Sequence, residues 1–244
     1  MKLLSEIRSQ ELRLTELAER LSASVQETSK HLARLVECKL IEKTSGGTYE
    51  LTSFGKLVFS ILPSLEFVSL RRKYFLTHDI SFLPPEMLLR IGQLSENHFY
   101  DHVSNVLVEC QHLLGMAEKY FCWSIDEPLP WFITKKFELD TKVKMILPRS
   151  TTGDAVERAR QIVGGRADFR FAEQVKLGIA LNEKLAGIVF PDTEGKIDYG
   201  SGFIGYSPMF QRWCRDLFDS MWESSSALWP PELEAEMNHA KYPR

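Results

Sequence analysis

The sequence predicts an α+β protein in three parts: an N-terminal winged helix-turn-helix, a helical connector and a C-terminal α/β sandwich domain. Three observations carry that expectation. Residues 14–36 hold two amphipathic helical patterns parted by Ser22-Ala23-Ser24. Two short alternating segments follow at once, on either side of Ser45-Gly46-Gly47. From residue 119 onward, strand-like and helix-like periods alternate, the pattern of a sheet layered with helices. The expected boundaries are 1–62, 63–118 and 119–228, with a tail at 229–244.

Residues 2–9 predict a first helix, with Leu3, Leu4 and Ile7 turned inward. Leu14, Leu17, Ala18 and Leu21 recur at i, i+3, i+4 and i+7, one face of a second helix. Ser24 stands where an N-cap belongs. The third helix carries Val25, Thr28, Leu32, Leu35 and Val36 on its inner face. Its exit falls on Lys39, a position often held by glycine because the chain turns left-handed there; a non-glycine residue at positive φ costs about 1 kcal/mol. Ile41–Thr44 and Thr48–Leu51 around the glycines predict a β-hairpin. Helix, turn, helix, hairpin is the order in which a second helix enters the major groove and a hairpin follows the DNA backbone.

The outward face of that helix is rich in hydrogen-bonding groups for base edges and phosphates. The candidate DNA-binding residues are Ser24, Gln26, Glu27, Ser29, Lys30, His31 and Arg34 on the helix. Lys43, Gly46, Gly47 and Tyr49 join them from the hairpin. Residues 1–60 hold nine Lys/Arg against eight Asp/Glu. Any positive footprint is therefore local rather than global.

Thr52-Ser53 opens a long helical pattern, with Phe54, Leu57, Val58, Ile61, Leu62, Leu65 and Val68 in register. Pro63 lies inside it and predicts a kink or a break. This apolar face is the expected seam of a homodimer, since two-fold proteins suit symmetric operators. Residues 78–101 are punctuated by His78-Asp79 and Pro84-Pro85 and predict a connector with one short helix. A further helix spans Val103–Ala117.

In the last part, strands are expected at Tyr120–Ile125, Val143–Leu147, Ala167–Phe171 and Phe203–Tyr206. Val175–Leu181 and Ala186–Phe190 should form a hairpin. Helices are expected at Leu129–Leu139, Thr151–Val163 and from Pro208 to about Ser225. The last buries Phe210, Trp213, Cys214, Leu217, Phe218, Met221 and Trp222, with Arg212, Arg215, Asp216, Asp219 and Glu223 facing away. Pro148-Arg149-Ser150-Thr151-Thr152-Gly153 joins a strand's carboxyl end to a helix start, where free amides favour anions. Arg149, Ser150, Thr151 and Thr152 are candidate contacts for a small anionic metabolite.

Composition narrows the function classes. A net charge of −3 gives no general affinity for polyanions. The cysteines at 38, 110, 122 and 214 lack C-x-x-C spacing, which suits reduced and mostly buried thiols. No apolar run approaches the ~20 residues that span a bilayer, and Met1-Lys2-Leu3-Leu4-Ser5-Glu6 turns polar at once, so a cytoplasmic protein with no membrane partner is expected. G-x-S-x-G, H-E-x-x-H and Walker patterns are absent. His98 and His102, beside Asp101 and with His112 further on, have metal-like spacing, but solvated or helix-capping histidines are the ordinary outcome. No enzyme, cofactor or metal is expected.

Nearly the full length resembles a family of archaeal transcriptional regulators of the methanogenesis-regulator type. The resemblance rests on His78-Asp79-Ile80-Ser81 with Leu83-Pro84, on Leu181-Asn182-Glu183-Lys184, and above all on Gly202-Phe203-Ile204-Gly205-Tyr206-Ser207 followed by Arg212-Trp213-Cys214-Arg215-Asp216-Leu217-Phe218 and Trp222. It implies a cytoplasmic DNA-binding regulator whose second domain senses a ligand or supports assembly. The half from Lys119 also looks like a degenerate phospholipase D-like fold. That likeness puts its histidine nucleophile position at Val175 and its lysine position at Leu177, neither of which can do the chemistry. The expected function is a DNA-binding transcriptional regulator, a homodimer responsive to a small ligand. The alternative is a protein-interaction module that uses the winged helix without sequence-specific DNA binding.

Overall fold

The structure, a computed structural model, describes residues 2–126, 140–163 and 167–227. The chain divides between Ser69 and Leu70 into two units. Residues 63–118, expected as a connector, therefore belong partly to each.

The N-terminal unit runs α1 (Lys2–Ser9), α2 (Leu14–Arg20), α3 (Val25–Glu37), β1 (Ile41–Lys43), β2 (Tyr49–Leu51) and α4 (Ser53–Leu70). Leu4, Ile7, Leu12, Leu17, Leu32, Ile41, Leu51 and Phe59 make its core. β1 and β2 pair antiparallel with Ile41 opposite Leu51 and Lys43 opposite Tyr49. Leu12 adds one more rung, its carbonyl accepting the Tyr49 N–H at 3.0 Å.

Both α2 and α3 end the same way. Ala23 N–H reaches the Ala18 carbonyl and Ser22 N–H that of Glu19; Leu40 reaches Leu35 and Lys39 reaches Val36. These paired bonds reverse the chain through one left-handed residue. That residue is Ser22 (φ 50°) after α2 and Lys39 (φ 59°) after α3. Neither is glycine, so each turn is held against a local strain of about 1 kcal/mol.

α4 starts on a Thr52 cap. The Thr52 hydroxyl accepts the Gly55 N–H at 2.9 Å and donates to the Lys39 carbonyl at 2.6 Å. Of the kink or break expected at Pro63, the break does not occur, and the helix continues to Leu70. An interior proline costs about 3 kcal/mol. Phe59 and Phe67, one turn to either side on the same stripe, are both buried. Burying such side chains contributes about 1.5–3 kcal/mol each, enough to carry the helix past the missing hydrogen bond.

In the C-terminal unit, α5 (Arg72–Phe75), α6 (Pro85–Leu89) and a 3-10 turn (Ile91–Leu94) precede β3 (His98–Tyr100). Then come α7 (Val103–Met116), β4 (Tyr120–Ser124), β5 (Lys142–Pro148), α8 (Gly153–Val163) and β6 (Ala167–Ala172). β7 (Gly178–Asn182), β8 (Ala186–Val189), β9 (Gly202–Gly205) and α9 (Pro208–Ser224) follow. One seven-stranded sheet has the order β3-β9-β8-β7-β4-β5-β6. β4, β5 and β6 are mutually parallel, and the other pairings are antiparallel. β3 is too short to display an alternating pattern, which is why its segment resembled a linker.

Helices cover both faces. Ile204 shares a core with Leu113 and Leu114 of α7, whereas a Cβ on the adjacent Gly205 would meet the Phe210 ring of α9. Neighbouring strand residues point to opposite faces, so α7 and α9 lie on opposite layers. All residues of β7, β8 and β9 are buried, as this sandwich requires. α9 buries Phe210, Trp213, Cys214, Leu217 and Phe218 as its spacing predicts. Arg215, expected to face away, instead lies over the Tyr120 ring at 4.1 Å and 3.3 Å from the Cys122 sulfur. Its delocalised cation suits a half-buried aromatic face. The helix expected at 129–139 and the tail from 229 lie outside the described residues.

Candidate nucleic-acid interface

Ser24 sets the start of α3: its hydroxyl accepts the Glu27 N–H at 3.1 Å. From there Thr28 and Leu32 turn into the core, and Thr28 returns its hydroxyl to the Ser24 carbonyl at 3.0 Å. Gln26, Glu27, Ser29, Lys30, His31 and Arg34 are all exposed. Lys30 and Arg34 stand one turn apart on the same face. Neither they nor Lys43 forms an ion pair with another described residue, so their charge is available to an outside anion.

The hairpin tip is closed by Thr44 N–H to the Thr48 carbonyl at 2.8 Å, with the two threonine hydroxyls 2.7 Å apart. Gly47 takes φ 82°, a conformation that favours glycine. Lys43 is exposed and shares its strand face with Ile41, the helix side of the hairpin. Glu42 and Glu50 sit opposite each other on the other side. Tyr49 is half-buried against the core. Its role in the fold is therefore to anchor the hairpin, while Lys43 is the residue left open to a partner. Val25, expected in the core, is 49% exposed. The core ends at Thr28, one turn short of it.

The second candidate site gathers less well. The Arg149 guanidinium is already paired with Glu173 at 2.8 Å. Ser150 and Thr152 are exposed, but Thr151 is buried, and its hydroxyl has no hydrogen-bond partner among the described residues. The Thr152 carbonyl accepts the N–H groups of Ala155 and Val156, the third and fourth residues of α8.

A polar cluster that sequence spacing did not reveal joins residues 74–79 to 198–201. His78 stacks on Tyr74 at 3.7 Å between ring centres. Its Nε2 lies 3.0 Å from Asp198 Oδ2, and Ser201 donates to the same oxygen at 2.6 Å. Its Nδ1 faces the Tyr74 carbonyl and the Thr77 hydroxyl. A Ser-His-Asp hydrolase needs the imidazole between hydroxyl and carboxylate. Here Ser201 lies 3.4 Å from the same Nε2 that faces Asp198 and donates to the carboxylate at 2.6 Å, so the imidazole does not stand between them and the cluster is a clamp. Burial works to raise the Asp198 carboxyl, but hydrogen bonds from Ser201, the Gly200 N–H and His78 outweigh it and hold it below the usual carboxylate range. The motif His78-Asp79-Ile80-Ser81 was the available signal, though nothing in it names a partner so distant in the chain. Leu181-Asn182-Glu183-Lys184 has a similar purpose: Asn182 Oδ1 accepts from Lys184 and Leu185 N–H in the β7–β8 turn, and the Glu183 carboxylate accepts from the Glu118 and Lys119 amides.

The remaining candidates resolve simply. His98 is on β3 and His102 precedes α7, so they do not share a helix face. Val175 and Leu177 are buried in the segment before β7 rather than on a strand. Cys122 and Cys214 are buried and Cys110 half-buried, whereas Cys38 is exposed.

No family model matches the chain, and no curated protein matches it. Solved structures similar to it at low identity include the following three. TrmBL2, an archaeal chromatin protein whose structure is described as showing a novel mode of DNA binding, is 13% identical over 93% of this chain and 92% of its own, with a TM-score of 0.40. An O-methyltransferase family protein from Burkholderia thailandensis is 13% identical over 70% and 57%, at 0.28. IclR from Thermotoga maritima is 12% identical over 91% and 93%, at 0.26. Likenesses this distant decide neither activity nor family, and function has to be argued from the site.

Proposed function

We propose that this protein is a DNA-binding transcription regulator whose N-terminal unit is a winged helix. The observation that carries the reading is the exposed face of α3, with its donors and its ion-pair-free Lys30 and Arg34, beside a hairpin that holds Lys43 on the helix side. Base-edge donors and unpaired cations on one surface are what duplex recognition requires.

We also propose a homodimer built on α4. Phe54, Leu57, Ile61 and Leu65 recur every three or four residues and are 42–60% exposed. That spacing suits packing against the same helix of a second copy. Among the described residues α4 alone is long and apolar enough to be weighed as a membrane span, by length and composition. Lys56, Ser60 and Glu66 are exposed along it and Phe59 lies in the core, which favours pairing in water and a cytoplasmic protein. The C-terminal unit is the sensing or assembly part, and a small anion competing with Glu173 for Arg149 is its candidate effector.

Selection of tightly bound duplexes from a random DNA pool by the full chain tests the reading. A recurrent sequence whose affinity falls steeply with salt is expected. A pool that stays random through successive rounds would refute it.

A further inference from the structure

Val25 is a valine where the inner-face spacing of α3 calls for core, yet it stands about half in water. It is the first residue of the helix, directly after the Ser24 cap. It lines an open groove of about 650 Å³ with Leu14, Gln26, Ser29, Lys30 and Ala33. Apolar carbon and hydrogen-bond donors alternate along this surface, and the cation on it has no internal partner.

That mixture has a natural complement in the major groove. Each base pair there shows donors and acceptors, and thymine alone adds a C5 methyl group. The residues at the start of the second helix are the ones that reach base edges. A protein partner would need a larger apolar area than one valine and its neighbours provide. The free positive charges of Lys30 and Arg34 complement the negative potential of a duplex. We propose that Val25 packs on the C5 methyl of a thymine in the bound duplex, so that this protein selects thymine at one position of each half-site. The inference rests on the DNA-reading assignment above and adds a base identity to it.

The test uses the full chain and the duplex enriched from the random pool. Each thymine is replaced in turn by deoxyuridine, which removes the methyl group and nothing else. One position per half-site should weaken binding by the wild-type protein about fourfold, the effect of one buried methyl group. Val25→Ser should bind the thymine duplex about fourfold more weakly and should not distinguish thymine from uracil at that position. Circular dichroism of Val25→Ser should match the wild type, because the side chain contributes little to the core. If uracil is tolerated at every position, or if the variant still penalises it, the assignment of Val25 is overturned while DNA reading stands. If no duplex is enriched at all, the DNA reading falls and this inference falls with it.

Discussion

The carbonyl oxygen of Leu40 occupies the space that a Cβ on Gly55 would need. The exit from α3 therefore lies directly on the first turn of α4. Both groups are backbone and neither can rotate aside. Gly55→Ala should lower the stability of the N-terminal unit by about 1–3 kcal/mol, the cost of overpacking, seen as a lower urea midpoint. Gly46→Ala, whose new methyl would meet only the Thr44 hydroxyl at 3.7 Å, should leave that stability unchanged within about 0.5 kcal/mol.

The α4 seam makes a second prediction. Leu57 is 60% exposed, so a charge there costs a single chain little but cannot be buried against a second copy. Leu57→Glu should sediment as a folded monomer where the wild type sediments as a dimer. A wild-type chain that is monomeric at micromolar concentration removes the dimer.

The third concerns acid. Asp198 is held below the usual carboxylate range, so its contribution to stability is complete above its unfolded value of about 3.9 and is lost as pH falls through the lower folded value. Stability of the C-terminal unit should decline with falling pH below about 4. Asp198→Asn should flatten that decline. It should also cost about 1 kcal/mol at neutral pH, the low end for bonds to a charged acceptor, because the carboxyl is a third exposed. Denaturation midpoints between pH 2 and 7 measure both effects.

The fourth concerns the effector. An anion that outcompetes the exposed Glu173 carboxylate at Arg149 should raise the melting temperature of the wild type. Thermal-shift screening of phosphorylated metabolites and organic acids should find such a compound, and Arg149→Ala should abolish its effect. Stabilisation that survives the substitution places the ligand elsewhere.

Much of the fold was legible because its signals are local. The spacing of Leu14 to Leu21, the Gly46-Gly47 turn and the α9 stripe each need only a few neighbouring residues. Lys39 was legible as a left-handed exit for the same reason. Ser22 was hidden, since a serine in a short polar break looks like any loop. Pro63 does not break α4 because its penalty is local, whereas the burial of Phe59 and Phe67 that offsets it is tertiary. Val25 misled in the opposite direction: helical periodicity says which face a residue is on, not where the core ends. His78 and Asp198 are 120 residues apart, and no spacing rule connects them. In the candidate interface the exposed cations were legible, while the anchoring role of Tyr49 depended on Leu12, outside the hairpin itself.

The proposed function rests on α3 reading bases and the hairpin holding phosphate. Its most direct test is affinity for the enriched duplex and for scrambled duplexes, across a salt series, with Gln26→Ala, Lys30→Ala and Lys43→Ala. Gln26→Ala and Lys30→Ala should each narrow the gap between enriched and scrambled DNA by about 1–3 kcal/mol. Lys43→Ala should weaken both equally and reduce the salt slope by about one. Wild-type affinity, selectivity and salt slope in all three variants would contradict the account.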